Sequence, residues 1–157
     1  MRTPELAFIE HECLRLQALY CHTADRGDVE GFVGLFAPTA SITVPEHPSF
    51  TGHDAIRASI QALAASGVTF RHITTNGLIE ATSADAARGS CYLVVFNSTA
   101  PADGDGWRPM SLPSTVGQYD DTFVRTPQGW RFQSRVLTRV FRRLDDPILA
   151  AARGAQQ

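Results

Sequence analysis

The sequence lacks long hydrophobic runs, paired cysteines and an excess of charge of either sign. No apolar run in its 157 residues approaches the roughly 20 residues that a membrane-spanning helix needs. Cys13, Cys21 and Cys91 are an odd number without a CxxC pair, which argues against a disulfide framework and for a reducing compartment. The N-terminus is charged and amphipathic and lacks the apolar block of a signal peptide, so we expect a cytoplasmic location.

Several kinds of binding site are also missing. With 14 Lys and Arg against 16 Asp and Glu, the net charge of -2 indicates neither a nucleic-acid partner nor an anionic membrane surface. No Gly-rich phosphate loop is present. His47 and His53 lie near acidic residues, but their spacing fits no standard zinc pattern. The cysteines sit in apolar patterns, where thiols are usually inert. We therefore expect neither a metal nor a cofactor.

Apolar residues that recur every three or four positions predict a first helix near the N-terminus. The stripe consists of Leu6, Ile9, Cys13, Leu16 and Tyr20. Pro4 marks the start of this helix and Gly27 its end. Asp28 is a good N-cap for a short second helix, which we expect to run through Phe36 because Pro38 would end it.

A short strand and a third helix follow, and then the pattern changes to long strands. Ala40–Val44 is predicted as a strand, and Thr51 with Asp54 resembles a capping box that begins a helix ending near Ala65. After Gly67, β-type runs separated by turn signals predict four strands. These strands are Val68–Ala81, Ala86–Ser98, Met110–Arg125 and Trp130–Arg142.

The order of the elements predicts the fold class. Helices followed by a run of strands favour an α+β domain with three N-terminal helices packed on one face of a curved, mostly antiparallel sheet. The space between the helices and the sheet is then a natural ligand pocket. We expect residues 1–143 to form a single domain and residues 144–157 to form a C-terminal tail, either a loose end or a short docked helix.

Four motifs resemble a known family. They are "Y....D.GD...F..LF" (20–36), "G..AI" (52–56), "RH...N" (71–76) and "G.Y.D.F.R...GWRF..R" (117–135). In this order they resemble the SnoaL-like branch of the nuclear transport factor 2-like cone fold, over roughly residues 10–141. Within that branch the resemblance is strongest to the scytalone dehydratases and the bile-acid 7α-dehydratases. It implies a cone-shaped α+β domain with a pocket at its open end, assembled as a homodimer or higher homo-oligomer.

The resemblance also implies which residues do the chemistry. In these dehydratases a Tyr and an Asp of the first helix act with a His of the strand after the third helix, and Tyr20, Asp25 and His72 match those positions. Arg135 matches an arginine that faces the site in the bile-acid enzymes. One departure is clear: scytalone dehydratase has a second catalytic histidine on the neighbouring strand, which here reads "CYLVVFNS" (91–98) and contains none.

The position of Asp25 supports the same interpretation. A carboxylate at a helix C-terminus opposes the helix dipole, unless a cation or a donor such as an imidazole N–H compensates. We interpret Asp25 as the residue that orients His72 in a His–Asp dyad; the alternative is that Asp25 pairs with Arg26 or caps the helix that starts near Asp28. Alternation puts His72 on a strand face with Phe70 and Thr74.

The side chains of Tyr20 and Arg135 each allow two interpretations. The Tyr20 hydroxyl either donates to a substrate oxygen or bonds to backbone inside the core. Trp130 and Phe132 share a strand face, so Arg135 points outward into an exposed salt bridge unless a bulge near Gln133–Ser134 turns it inward.

A second set of residues is predicted to line the pocket and bind substrate. It consists of Phe36, Phe50, Phe70, Asn76, Phe96, Asn97, Trp107, Met110, Gln118 and Tyr119. Trp107 and Met110 flank a Pro/Gly-rich loop, where large apolar groups need something to cover. We expect this loop, Thr99–Pro109, to border the pocket mouth or a dimer interface.

These observations predict a cofactor-independent lyase of dehydratase type. His72 would abstract and return a proton on a small hydrophobic hydroxy substrate of aryl or polycyclic character. Three other reactions use the same kind of pocket, namely retro-aldol C–C cleavage, isomerisation and epoxide hydrolysis. A non-catalytic module for small-molecule binding or dimerisation is a further alternative, under which Asp25 and His72 would not be in contact.

Overall fold

In the computed structural model the helices come first and the long strands follow. The structure describes residues 3–44, 47–110, 112–143 and 145. The helices are α1 (Pro4–Arg26), α2 (Val29–Val33) and α3 (Gly52–Ala65), and the strands are β1 (Phe36–Thr43), β2 (Phe50–Thr51), β3 (Thr69–Ala81), β4 (Ala86–Ser98), β5 (Thr115–Thr126) and β6 (Gly129–Arg142). Apart from Asp145, the predicted tail 144–157 lies outside the described residues.

The six strands form one open sheet in the order β2-β1-β6-β5-β4-β3. Every neighbouring pair is antiparallel except β1 and β6, which are parallel. The sheet is therefore mixed but mostly antiparallel, and the predicted α+β class is confirmed. β3 is an edge strand whose only partner is β4, so alternate backbone N–H groups of β3 point away from the sheet.

Helix α1 packs its buried stripe against the sheet and brings its last turn beside β3. The Thr3 hydroxyl accepts the Leu6 N–H at 3.3 Å, which caps the first turn before Pro4. Gly27 has a φ of 66°, and its N–H bonds back to the carbonyls of the last turn. A residue with a side chain rarely adopts that left-handed conformation. The helix therefore ends at Arg26 and leaves Asp25 in its final turn.

The second helix is shorter than predicted, and β1 begins earlier. α2 ends at Val33, and Phe36 already belongs to β1. Pro38 does not end a helix but lies inside the strand. Its missing N–H costs no regular ladder bond, because the pairing of β1 with β6 breaks between Phe36 and Ser41.

Two other boundaries also differ from the prediction. β5 begins at Thr115 rather than Met110, because Pro109 and Pro113 have no N–H to donate to a ladder. Thr51 precedes α3, but its side chain makes no capping hydrogen bond. Its backbone pairs with Ser41 in the sheet instead.

The outer face of the sheet exposes several large apolar side chains. Leu78, Tyr92, Val140 and Phe141 are all more than half exposed. The homodimer implied by the family resemblance stays a prediction. None of the described helices is long and apolar enough to cross a membrane.

Candidate active site

A cavity of about 700 Å³ lies between the helices and the inner face of the sheet. Most of its lining is apolar and comes from α3 and from β1, β3, β4 and β6, with Ile60, Leu63, Leu93 and Leu137 among the contributors. Its polar lining includes Tyr20, Asn97, Thr115, Tyr119, His72 and Arg139. A concave, largely apolar cavity with a few polar groups is the usual form of a small-molecule site.

Asp25 and His72 form a hydrogen-bonded pair at the wall of this cavity. Asp25 Oδ1 lies 2.6 Å from His72 Nδ1, and the two side chains are 3% and 12% exposed. Because a carboxylate only accepts, Nδ1 carries the proton and the available ring nitrogen is Nε2. No described group hydrogen-bonds to Nε2. The pair is therefore arranged as a proton acceptor held in one tautomer.

Asp25 also binds the backbone of the same residue. The His72 N–H donates to Asp25 Oδ2 at 3.0 Å, and this N–H is one of the groups on the free edge of β3. The exposed Arg71 guanidinium lies 3.5 Å from Oδ2. Asp28, not Asp25, caps α2 through a 2.9 Å bond from the Gly31 N–H. The described contacts of Asp25 therefore include neither of its alternative roles, which were an ion pair with Arg26 and a cap of α2.

Tyr20 lines the cavity with its ring packed on Phe32 and Tyr119. Burial raises the pKa of the Tyr20 hydroxyl, while the charge of Arg135 opposes that rise. Burial also holds the pKa of Tyr119 well above its usual value. Because Tyr20 lines the cavity, its hydroxyl can donate to the oxygen of a bound ligand.

A bulge in β6 determines where Arg135 points. Phe132 pairs with Phe123 and Ser134 pairs with Thr122, which leaves Gln133 as the extra residue. The bulge shifts the alternation and turns Arg135 into the interior. There its guanidinium makes two 2.8 Å bonds to the Asp121 carboxylate.

Arg135 does not contact the cavity, in contrast to the expectation from the family resemblance. Its side chain is 0% exposed, and its guanidinium carbon lies 4.2, 4.1 and 4.4 Å from the ring centres of Tyr20, Tyr119 and Phe132. Its Nη1 has no hydrogen-bond partner among the described residues. Burial alone would lower the pKa of Arg135, but Asp121 raises it above the usual value. Arg135 is thus a permanent cation that lies beneath the two tyrosines, behind the cavity wall.

Two residues of the buried cluster around Arg135 were missed in the sequence. Asp121 is fully buried beside it, and Gln17 of α1 donates to Asp121 Oδ2 at 2.9 Å. A usable signal was present: Asp121 lies two residues after Tyr119 on β5, so alternation places both on the inner face. An inward arginine also requires a buried carboxylate nearby.

The second set of predicted residues divides by position. Phe50, Phe70, Asn97 and Tyr119 lie on the cavity wall, whereas the other six do not. Phe36 belongs to the closed aromatic core between Phe32 and Phe132. Asn76 sits at an irregularity in β3 with a φ of 55° and is exposed.

The remaining four of these residues point to the outside. Phe96 and Gln118 lie on the strand face opposite their cavity-lining neighbours. Trp107 and Met110 are 73% and 85% exposed, and no residue of the loop Thr99–Pro109 lines the cavity. The alternative, that this loop borders a dimer interface, stays a prediction. Aromatic character alone does not distinguish these positions from wall positions.

Arg139 was not predicted to line the cavity, yet it does. Alternation from an inward Arg135 through Leu137 leads to it. The apolar face of α3, with Ala55, Ser59, Ile60 and Leu63, was likewise missed as a wall. Its apolar residues recur at helical spacing, which was the available signal.

Metal and thiol chemistry receive no support from this geometry. No cluster of three or more His, Cys, Asp or Glu that could hold a metal occurs in the part of the chain that the structure describes. His53 Nε2 lies 2.9 Å from the Phe36 carbonyl oxygen. Burial raises the pKa of Cys13 and of Cys91 to about 12, so both remain thiols near neutral pH.

Comparisons with known proteins identify the same fold. The family model of the SnoaL-like domain matches residues 9–136. A sequence search among curated proteins found no match. Among solved structures, an NTF2-like protein with a cystatin-like fold from Novosphingobium aromaticivorans is 30% identical, with 91% of this chain and 85% of that chain covered and a TM-score of 0.65.

Two candidate dehydratases share the fold at lower identity. One, a candidate scytalone dehydratase from Novosphingobium aromaticivorans, is 20% identical over 86% of this chain and 87% of that chain, with a TM-score of 0.72. The other, of the NTF2-like family from Streptomyces avermitilis, is 19% identical over 88% and 99%, with a TM-score of 0.73.

Removal of one partner of the buried ion pair beneath the tyrosines should destabilise the protein. Arg135→Met leaves the Asp121 carboxylate buried without a cation, and we expect a loss of about 3–5 kcal/mol in the free energy of unfolding by urea denaturation. Arg88→Met removes an equivalent arginine from an exposed pair with Glu80 and should change it by about 1 kcal/mol or less. Equal effects of the two substitutions would contradict this role of Arg135.

Proposed function

Because this chain belongs to the SnoaL-like domain family, we propose that it is a cofactor-independent lyase of dehydratase type. The proposed substrate is a small hydrophobic hydroxy compound of aryl or polycyclic character, whose carbonyl acidifies a neighbouring C–H. One observation carries the proposal: the 2.6 Å contact of His72 Nδ1 with Asp25 at the wall of a largely apolar cavity. A single tautomer presents Nε2 as the base.

In the first step His72 Nε2 takes the proton from the carbon next to the substrate carbonyl. The electron pair of that C–H bond moves into the carbonyl and forms an enolate. Tyr20 donates a hydrogen bond from its hydroxyl to the enolate oxygen, and the packing of its ring on Tyr119 helps to orient it. Asp25 stabilises the imidazolium that forms on His72.

In the second step the enolate re-forms the carbonyl and expels the hydroxyl group from the adjacent carbon. The departing oxygen takes the proton from His72 Nε2–H and leaves as water. His72 is then neutral again, and the product is a conjugated carbonyl compound. One histidine serves both transfers when the C–H and the leaving group lie on the same face of the substrate, which fits a chain without a second histidine on β4.

The alternative reactions differ in the catalytic groups that they require. An epoxide hydrolase would need a carboxylate that activates water, but Asp25 is 3% exposed and is occupied by two groups of His72. Retro-aldol cleavage and isomerisation begin with the same kind of proton transfer and are separated by their products. A binding module has no need for the Asp25–His72 contact.

The aldol adduct of benzaldehyde and acetone separates these reactions. Dehydration yields benzylideneacetone, with a strong near-ultraviolet absorbance, whereas retro-aldol cleavage yields benzaldehyde. The corresponding adduct of benzaldehyde and pyruvate carries the same reacting atoms with a carboxylate in place of the methyl group. Formation of the enone from either adduct supports the proposal. Release of benzaldehyde alone would replace it with a C–C lyase.

His72→Ala should remove the proton transfer while leaving the fold intact. We expect enone formation to fall by about 10²–10⁴-fold, the usual contribution of a positioned acid–base group. His11→Ala removes an exposed histidine of α1 and serves as the matched control with unchanged turnover. Turnover that is equal in the two variants would refute the role of His72.

Tyr20→Phe should lower kcat without a large loss of stability. The ring still packs on Phe32 and Tyr119, but the donor to the enolate oxygen is gone, so we expect a decrease of about 10²–10³-fold. The unfolding free energy should change by about 1 kcal/mol or less, because the ring packing is kept and a single hydroxyl is lost. Tyr92→Phe, on the outer face of the sheet, is the control. An unchanged kcat in Tyr20→Phe would show that its hydroxyl is structural.

A further inference from the structure

One buried hydroxyl in the cavity wall has no hydrogen-bond partner in the described part of the protein. Five hydrophilic residues are buried there, namely Gln17, Ser114, Thr115, Asp121 and Arg135. Gln17 and Arg135 are bonded to Asp121, and the Ser114 hydroxyl donates to the Val95 carbonyl oxygen at 3.1 Å. The Thr115 hydroxyl bonds to no described residue, although Thr115 is only 7% exposed and lines the cavity. Because an unbonded buried hydroxyl is costly, its partner is expected inside the cavity.

Thr115 lies across the cavity from the proton acceptor, at the same depth. His72 pairs with Val95, and Val95 pairs with Thr115, so the three residues form one row across β3, β4 and β5. All three line the cavity, and two strand spacings, or roughly 10 Å between backbones, separate His72 from Thr115. A ligand held between them therefore meets a base on one side and a hydroxyl on the other.

The tyrosine donor lies at a different level of the cavity. Thr115 and Tyr119 are four residues apart on the inner face of β5, so roughly 13 Å of strand separates them. The rings of Tyr20 and Tyr119 lie against Arg135, which pairs with Asp121, two residues beyond Tyr119. A substrate oxygen that meets Tyr20 is therefore remote from the Thr115 hydroxyl.

The surface between these two levels is apolar. Gly117 lies between Thr115 and Tyr119 without a side chain, and a methyl carbon of Leu137 is 3.4 Å from the position that its Cβ would occupy. Leu93 pairs with Gly117 and lines the cavity together with Leu137. A flat aryl body matches such a surface, because it gains from burial and needs no polar partner.

We propose that Thr115 binds a hydroxyl group on the aryl body of the substrate, so that the substrate class is a hydroxylated aryl ketone. The inference rests on the proposed function in placing the substrate carbonyl at Tyr20. Only three carbon atoms connect that carbonyl oxygen to the leaving hydroxyl, so the partner of Thr115 is a further substituent. It is neutral, because one hydroxyl cannot compensate for a buried charge. A threonine hydroxyl and an aryl hydroxyl can each donate and accept.

Acetylnaphthalene and its ring-hydroxylated counterpart, with the hydroxyl group at the end of the ring pair opposite the acetyl group, are matched probes for this site. Both carry a ketone and an aryl body but no leaving group, so neither is dehydrated. By isothermal titration calorimetry we expect the protein to bind the hydroxylated probe about three- to tenfold more tightly, the usual contribution of one neutral hydrogen bond.

Thr115→Val replaces the hydroxyl with a methyl group of similar size and keeps a branched side chain that suits a strand. It should abolish the preference by weakening the hydroxylated probe alone. Thr115→Ser restores a hydroxyl and should keep part of the preference, and Thr115→Ala is a second variant without the hydroxyl should valine disturb folding. Because no described residue bonds to this hydroxyl, Thr115→Val should not lower the thermal unfolding midpoint, whereas loss of a structural hydroxyl would.

Two controls separate this inference from the proposed reaction. Thr122→Val makes the same substitution on the outer face of β5, where the Thr122 hydroxyl lies 2.6 Å from that of Ser134, and should leave the preference unchanged. His72→Ala should keep the preference while it removes turnover, and a preference without any lyase activity in the wild-type protein would leave the Thr115 site standing alone. Equal binding of the two probes by the wild-type protein, no measurable binding of either probe, or an equal loss of both in Thr115→Val would overturn the inference.

Discussion

Asp25 accepts two hydrogen bonds from one residue, the ring N–H and the backbone N–H of His72, and the geometry of the site depends on this pair. The backbone N–H lies on the edge of β3 that no described strand of this chain binds. The carboxylate lies in the last turn of α1, where the helix dipole makes a negative charge unfavourable unless donors compensate. The N–H thus gains a hydrogen-bond acceptor, and the carboxylate gains a donor. The same contact that joins the helix end to the sheet edge also selects the tautomer of the imidazole.

A second constraint lies beneath the two tyrosines. Arg135 and Asp121 are buried together, and the arginine places its charge under the rings of Tyr20 and Tyr119. Because burial of the two charges costs desolvation energy, the pair adds little net stability compared with apolar residues of the same size. Its contribution is to position the two tyrosine rings. It holds the tyrosine rings at the cavity wall and opposes the rise in the pKa of Tyr20 that burial causes.

Sequence patterns predicted the elements whose periodicity is long and regular. The stripe of α1 and the four long strands follow from apolar spacing, and β4 has the predicted bounds. Asp25 and His72 are 47 positions apart, so local patterns cannot pair them, and the family resemblance was needed. The inward turn of Arg135 depends on one extra residue in β6, which alternation alone does not locate. The aromatic predictions were the weakest, because Phe36 and Trp107 look alike in sequence whether they lie in a core, on a cavity wall or on the surface.

The central claim is that Asp25 holds His72 as a neutral Nδ1–H tautomer with Nε2 available as the base. Nitrogen-15 NMR of the protein with labelled histidine tests it without a substrate, at a pH where the His72 imidazole is neutral. The account predicts that Nδ1 of His72 carries a proton, detected by its one-bond N–H coupling, and that Nε2 carries none. It also predicts that Asp25→Asn removes this preference for one tautomer. A protonated Nε2 in the wild-type protein, or a tautomer that Asp25→Asn leaves unchanged, would contradict it.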